Sequence, residues 1–431
     1  MVTTLRTTPV RPAPGAVAEH LAPLLELVFS GAPPVRFECW DGSSIGPADA
    51  PAALRLRNPT ALRHMLWHPD ELGLGRAYVA GDLDLDGDIV DGLASLEITP
   101  PRGVRKARIL REAWRVAQAL HLVGPPPAPP PEEAHVHGHR HSMVRDAQAI
   151  SHHYDVGNEF YAVVLGPSMT YSCARWGPQT TDLAAAQAAK HDLVCRKLGL
   201  ATRPGQRLLD VGCGWGSMAI HAARNYDARV VGITISAEQH AAALARVRDA
   251  GVADRVEIRL QDYRTLGDER FDAVSSIGMF EHVGAARMAE YFTTLRSLLE
   301  PGGRLLNHAI SRVGGSRLGR RSFIGRYVFP DGELIDIAAV VGAAERAGFE
   351  VRDVESLREH YARTLRAWIA NLERDWDGAV AAAGEGRARV WRAYMAGSAL
   401  GFDAGRISIH QTLAVVPDAD GTSGMPWRRD W

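Results

Sequence analysis

A chain of 431 residues has room for two or three domains and a large core. Lys plus Arg number 49 against 50 for Asp plus Glu, so the net charge of −1 gives nucleic acid no global attraction. Four cysteines without a CxxC pair, behind an N-terminus lacking an apolar h-region, argue against a disulfide scaffold and for reduced thiols in the cytosol.

The N-terminal module is expected over residues 15–120 as a small α/β unit. "VRFECW" and "ALRLR" alternate like strands, and "PTALRHMLW" and "GRAYVAG" read as helix and turn. The module ends in "RGVRKARILREAWRVAQALHLV", a helical pattern in which Arg102, Arg105, Lys106, Arg108, Arg111 and Arg115 face a single acid, Glu112. Such a basic amphipathic helix is either a solvated face or a seat on anionic lipid. No uninterrupted apolar run approaches the roughly 20 residues that span a bilayer, so membrane contact is expected to be peripheral. A Pro- and His-rich linker follows over 121–145, centred on "GPPPAPPPEEAHVHGHRHS". Its alternating His135, His137, His139 and His141 read as solvated polar residues, and no metal site is expected, because no cysteine or carboxylate completes one.

From 146 to 431 strands and helices alternate, the pattern of a parallel sheet covered on both faces. The strands are "RLLDV", "RVVGITI", "RVEIRL", "DAVSSI" and "RLLNHAI", with Ser236 capping the helix after the second and "PGG" turning into the fifth. "FEVRDVESL" and "RISIHQTLAVV" add two late strands around some fifty helical residues, too many for a hairpin and suited to a lid.

Between the first strand and its helix stands "LLDVGCGWGSMAIHAA". Gly212, Gly214 and Gly216 allow a sharp turn and close backbone approach to a ligand at a helix N-terminus. A dinucleotide fold would place a carboxylate after the second strand, but "GITIS" has none. Asp210 and the glycine turn suit the charged amino-acid end of S-adenosylmethionine instead.

At this point the chain resembles the cyclopropane-fatty-acid synthase family, which includes the mycolic acid cyclopropane synthases. "ISHHYDVGNEFY", "MTYSCARW", "LLDVGCGWGSMAIHAA", "GITISAEQ", "LQDYR", "GMFEHVG", "YVFPDGEL" and "HYARTLRAW" carry the resemblance by their order and spacing. It implies a Rossmann-like class I methyltransferase sheet with a helical lid insertion. It implies that Tyr171 and Ser172 meet the methionine end of the cofactor, with Asp210 and the turn of Gly212, Cys213 and Gly214. Thr234 and Gln239 would hold the ribose in place of the usual acid, and Asp262, Tyr263 and Arg264 would border the adenine.

The implied substrate is the unsaturated acyl chain of a phospholipid. Its double bond takes the sulfonium methyl, a cation forms on the chain, and loss of a proton from the new methyl closes a cyclopropane. The implied base is bicarbonate, held by Cys173, Glu281, His308, the backbone at Ile310, and Tyr361. Phe160, Tyr171, Trp176 and Phe280 are candidate aromatic faces for the cation. His282 and His153 read as structural, and Ser398 stands where the family often has a cysteine.

The expectation is therefore a cytoplasmic enzyme, peripheral to the inner face of the membrane, whose partners are the acyl chain and an anionic lipid surface. A homodimer is left open, and no nucleic acid is expected. Two alternatives stand beside it: a methylene-forming fatty acyl C-methyltransferase, and a non-catalytic lipid-binding protein with a degenerate methyltransferase domain.

Overall fold

The computed structural model describes residues 15–96, 103–134, 156–317, 322–330, 332–429 and 431. The four linker histidines and His153 lie outside them. Two compact units emerge. The first comprises Met1–Glu133, Arg321–Tyr327 and Gly384–Leu400, and the second comprises the rest. The stretch 146–431 is thus not one body: two of its segments, one carrying Ser398, group with the N-terminal residues.

In the first unit β1 (Arg36–Glu38), β2 (Ser44–Ile45), β3 (Ala52–Leu56) and β4 (Leu83–Gly87) form a sheet of order β2-β1-β3-β4. Alternate residues of β3, Ala52, Leu54 and Leu56, are buried, as a half-buried strand requires. The basic helix spans Gly103–Ala119 and packs beside helix Val17–Phe29. Arg105 donates to the carbonyls of Leu27 (3.1 Å) and Val28 (2.9 Å), which are open acceptors at that helix's C-terminus. The proline-rich stretch is not wholly a solvated spacer. Glu133 is buried and takes two hydrogen bonds of 2.9 Å from Arg76, a bidentate pairing that fixes the chain there.

The second unit is built on a seven-stranded sheet. Its strands are β5 (Arg207–Val211), β6 (Arg229–Thr234), β7 (Val256–Leu260), β8 (Phe271–Ile277), β9 (Leu299–Ser311), β12 (Glu350–Ser356) and β13 (Ser408–Val415), with a separate short pair, β10 (Ser316–Arg317) and β11 (Glu333–Leu334). The order is β12-β13-β9-β8-β5-β6-β7, with β13 antiparallel to both neighbours and the run β9-β8-β5-β6-β7 parallel throughout. Successive residues feed opposite cores. Leu208, Val230, Ala273 and Leu306 join the cluster under helices Leu183–Lys197 and Ser217–Tyr226. Leu209, Val231, Val274 and Leu305 join the one under helices Met288–Ser297 and Ile337–Arg346. That double burial explains why these strands read as unbroken apolar runs.

Two expectations change. "PGG" lies inside β9 instead of preceding it, and the ladder with β8 slips register between Phe271 and Ala273 to absorb the extra residues. The helical insertion is divided between the two units. Helix Arg358–Arg374 belongs to the second unit and buries Tyr361, Thr364, Leu365, Trp368 and Leu372, whereas most of helix Glu385–Asp403 belongs to the first.

Candidate functional site

Open α/β sheets bind ligands beyond the carboxyl ends of their strands, and here β5 runs into a glycine turn at that edge. Gly212, Gly214 and Gly216 all have positive φ (75°, 56° and 79°), which other residues adopt at a cost. The amides of Gly212 and Cys213 both donate to the Ile233 carbonyl (3.0 and 2.9 Å), tying the turn to β6. A Cβ on Gly214 would meet no atom within 4 Å, because that side opens on a cleft.

All eleven residues expected at the cofactor line this one cleft: Tyr171, Ser172, Asp210, Gly212, Cys213, Gly214, Thr234, Gln239, Asp262, Tyr263 and Arg264. Asp210 accepts from Ser275 Oγ (2.7 Å) through Oδ1, while its buried Oδ2 has no partner. Burial pushes its carboxyl up to about 6. Thr234 Oγ1 donates to Gln239 Oε1 (2.9 Å), and Ser236 caps the following helix, so the pair is held at the end of β6. Asp262 is committed to Arg264, which reaches it through Nε (2.9 Å) and Nη2 (2.5 Å). Tyr263 packs edge-on to Tyr291, ring centroids 5.7 Å apart.

The cleft also contains residues the sequence reading passed over, chiefly Lys190, His191, Trp215 and Arg287. Lys190 and His191 had a readable signal, since two polar residues stand on the buried face of an alanine-rich helix.

None of the five residues expected at the base lines the cleft. They lie around the carboxyl end of β8 and the last residues of β9, where His308 and Ile310 stand within the strand, and four of them are linked through the backbone. Glu281 Oε1 accepts from the Ile310 amide (2.7 Å). That amide is therefore occupied, and Ile310 holds Glu281 in place. Ile310 pairs across the sheet with Ile409, whose carbonyl accepts from the Leu357 amide (2.9 Å). The Leu357 carbonyl in turn accepts from Cys173 Sγ (3.7 Å) and from the Tyr361 amide (3.1 Å). His308 faces Gln411 across the strand pair, Nδ1 to Nε2 3.3 Å, and no hydrogen bond joins it to Glu281 among the described contacts.

Two enclosed atoms here lack partners: Glu281 Oε2 and His308 Nε2. Glu281 as a residue is half-buried, but its carboxylate is shut away, and burial lifts it to about 7 against the opposing Ile310 amide. Burial also holds His308 well below the usual imidazole range, so the ring is neutral. Burial pushes the Cys173 thiol far up, which leaves it a protonated donor.

The aromatic candidates sort differently. Phe280 belongs to the core, packed on Tyr291 and Phe292, and the Trp176 face is covered by Arg363 at 5.3 Å. Phe160 is fully buried beside Tyr161. Tyr171 does join a run: Trp368 lies 5.2 Å from it and 6.0 Å from Tyr361, which packs on Phe402 at 4.8 Å. That run leads from the cleft to the backbone-linked cluster.

With this geometry in view, comparison with known proteins is decisive. A sequence model of mycolic acid cyclopropane synthetase matches residues 141–412. The chain belongs to that family. A probable fatty acid methyltransferase of Mycobacterium tuberculosis is 43% identical over 423 residues, 95% of this chain and 98% of that protein. The cyclopropane-fatty-acyl-phospholipid synthase of Escherichia coli K12 is 34% identical over 330 residues, 76% of this chain and 78% of that one. Among solved structures, a mycolic acid cyclopropane synthase complexed with SAH and CTAB superposes with a TM-score of 0.58, at 34% identity over 62% of this chain and 97% of that one. The mycolic acid cyclopropane synthetase family consists of S-adenosylmethionine-dependent methyltransferases, and the second unit has their class I fold. The cleft fits that cofactor. Its turn leaves open space at Gly214, Asp210 offers an unpartnered acceptor, and β6 ends in Thr234 where a nicotinamide fold needs an acid.

Proposed function

We propose that the protein is a cyclopropane-fatty-acyl-phospholipid synthase that uses bicarbonate as its base. The observation that carries this reading is the pair of enclosed, unpartnered atoms, Glu281 Oε2 just after β8 and His308 Nε2 near the carboxyl end of β9. Buried polar atoms need partners, and these two would hold a small oxyanion. When bound, S-adenosylmethionine supplies an electrophilic methyl and bicarbonate supplies an oxygen base too small to need a side chain's reach.

The chain's own residues have distinct tasks. Tyr171, Trp368 and Tyr361 present ring faces where positive charge develops on the acyl chain. Glu281, protonated below about pH 7, donates to an anion, and once ionised it accepts a proton at Oε2. His308, neutral, holds the other side of the ion through Nε2. Cys173 and Tyr361, both tied to Leu357, close the surround.

The test is lipid extraction from a bacterial host rich in oleoyl and vaccenoyl phospholipids, with and without the protein. Cyclopropane ring protons in the NMR spectrum support the proposal, and exomethylene protons would assign the methylene-forming reaction instead. Unchanged lipids from a protein that binds the cofactor would leave only a lipid-binding role.

The anionic membrane surface is also part of this proposal. Among the described residues no helix is long and apolar enough to cross a membrane. Helix Gly103–Ala119, however, exposes Leu110 (53%) and Trp114 (56%) in line with Lys106 at four-residue spacing, with Arg111 beside them. Arg105 and Arg115 are taken by protein carbonyls and Glu112, so they are not the lipid contacts. Lys106→Glu with Arg111→Glu should weaken sedimentation with anionic vesicles, two cations contributing at most about 2 kcal/mol before salt screening. Trp114→Ala should weaken binding to neutral vesicles as well. Unaltered sedimentation in both variants would make the helix a solvated face.

A further inference from the structure

Lys190 is the one charge in the cleft without an evident purpose. It sits on helix Leu183–Lys197, is 1% exposed, and donates one hydrogen bond, Nζ to Ser172 Oγ at 3.0 Å. An ammonium has three donors, and no ion pair within the described contacts uses the others. An apolar residue of equal length would fill the core without the desolvation cost of a buried charge. The groups facing it are Asp210 from β5, Cys173 from the preceding loop, Cys195 from its own helix and His308 from β9, with His191 and His221 nearby. Asp210 is the only acid among them, and it keeps its own oxygen Oδ2 unpartnered.

Around Lys190 the wall carries one acid, Asp210, and one ammonium with no hydrogen bond between them, a match for a zwitterion; the cleft's other acid, Asp262, is taken by Arg264. We propose that Lys190 receives the α-carboxylate of the cofactor's amino-acid end, opposite Asp210, which meets the ammonium. This rests on the cofactor occupying the cleft, and it adds a positioning residue for the methionine end. Cys173 and His308 of the bicarbonate surround also face Lys190, but Lys190 lines the cleft and they do not, which favours the cofactor's carboxylate over bicarbonate.

Burial holds the Lys190 ammonium down to about 8, with Cys173 and Asp210 opposing the fall. A carboxylate beside it would restore its charge. Above pH 8, therefore, binding should draw a proton from solvent, and affinity should fall as pH rises through about 8.

The test is calorimetry on the full chain at pH 8.5, in two buffers of different protonation enthalpy. The probes are S-adenosylhomocysteine and its decarboxylated analogue. Wild type should prefer the intact ligand by about 30-fold or more, the scale of a buried charge pair broken on one side, and should take up protons with that ligand only. Lys190→Met should bind the decarboxylated probe as wild type does and lose the preference. Equal losses for both probes in a folded Lys190→Met would mean a structural lysine and overturn the proposal. So would an unchanged preference. If the variant fails to fold, wild type decides: no preference and no ligand-specific proton uptake overturn the proposal. Wild type that binds neither probe overturns the cofactor assignment of the cleft, and Lys190's role with it.

Discussion

Glu281→Gln is expected to lower the rate of product formation by about 10² to 10⁴, the usual cost of losing a positioned proton acceptor, while cofactor affinity stays unchanged. The substitution keeps the acceptor that holds the Ile310 amide at 2.7 Å. It also replaces the enclosed Oε2 with an amide nitrogen, which still donates to an anion but cannot take up a proton. Bicarbonate should therefore still saturate the variant at a similar concentration, with the loss confined to the maximal rate. The pH dependence gives a second readout. Burial lifts the Glu281 carboxyl from 4.5 to about 7, so the wild-type rate should climb as pH rises through about 7 and the group ionises. That limb should vanish in the variant. Stability should move the opposite way. An acid with a raised folded pKa binds more protons folded than unfolded between 4.5 and about 7, so stability is lost as pH rises through that window. The glutamine variant, which has no buried charge to form, should resist unfolding better than wild type above pH 7. A variant with the wild-type rate and wild-type pH limb would remove Glu281 from the mechanism.

Much of the second unit was legible because its physics is local. Paired apolar residues such as Leu208–Leu209 and Val230–Val231 announce a sheet buried on both faces, and the glycine turn announces close approach to a ligand. The motif order then placed all eleven expected cofactor residues around one cleft. What stayed hidden depends on contacts between distant segments. In sequence Phe280 is a candidate aromatic face for the cation, but its ring turns into the core on Tyr291. Arg105 looked like a lipid contact because its neighbours are basic, yet helix Val17–Phe29 ends where its guanidinium can reach two open carbonyls. The sequence places the backbone at Ile310 beside the base, and only the fold shows that its amide is taken by Glu281. Trp368 and Phe402 are ordinary helix residues in sequence, and their place between Tyr171 and Tyr361 follows from tertiary packing alone.

Gly214→Val should leave a folded protein whose affinity for S-adenosylhomocysteine is reduced by about 100-fold or more, on the scale of forcing extra methyls into a filled site. The unliganded cost is small. Gly214 has φ 56°, so a β-branched residue there is strained by about 1–2 kcal/mol. Its Cβ would touch nothing within 4 Å, however, and no clash is added to the strain. The space that makes this harmless is the cleft itself, so the valine methyls occupy the volume a ligand held against the turn would need. Gly212 is the contrasting position. Its added Cβ would come within 3.2 Å of Met279 side-chain atoms, so substitution there disturbs packing before any ligand arrives. Thermal unfolding should accordingly show a small loss for Gly214→Val and a larger one for Gly212→Val, while calorimetry shows binding lost in both. Gly214→Ala, with one methyl in the same direction, should fall between wild type and valine. A folded Gly214→Val that binds S-adenosylhomocysteine normally would mean that the cofactor does not lie against this turn.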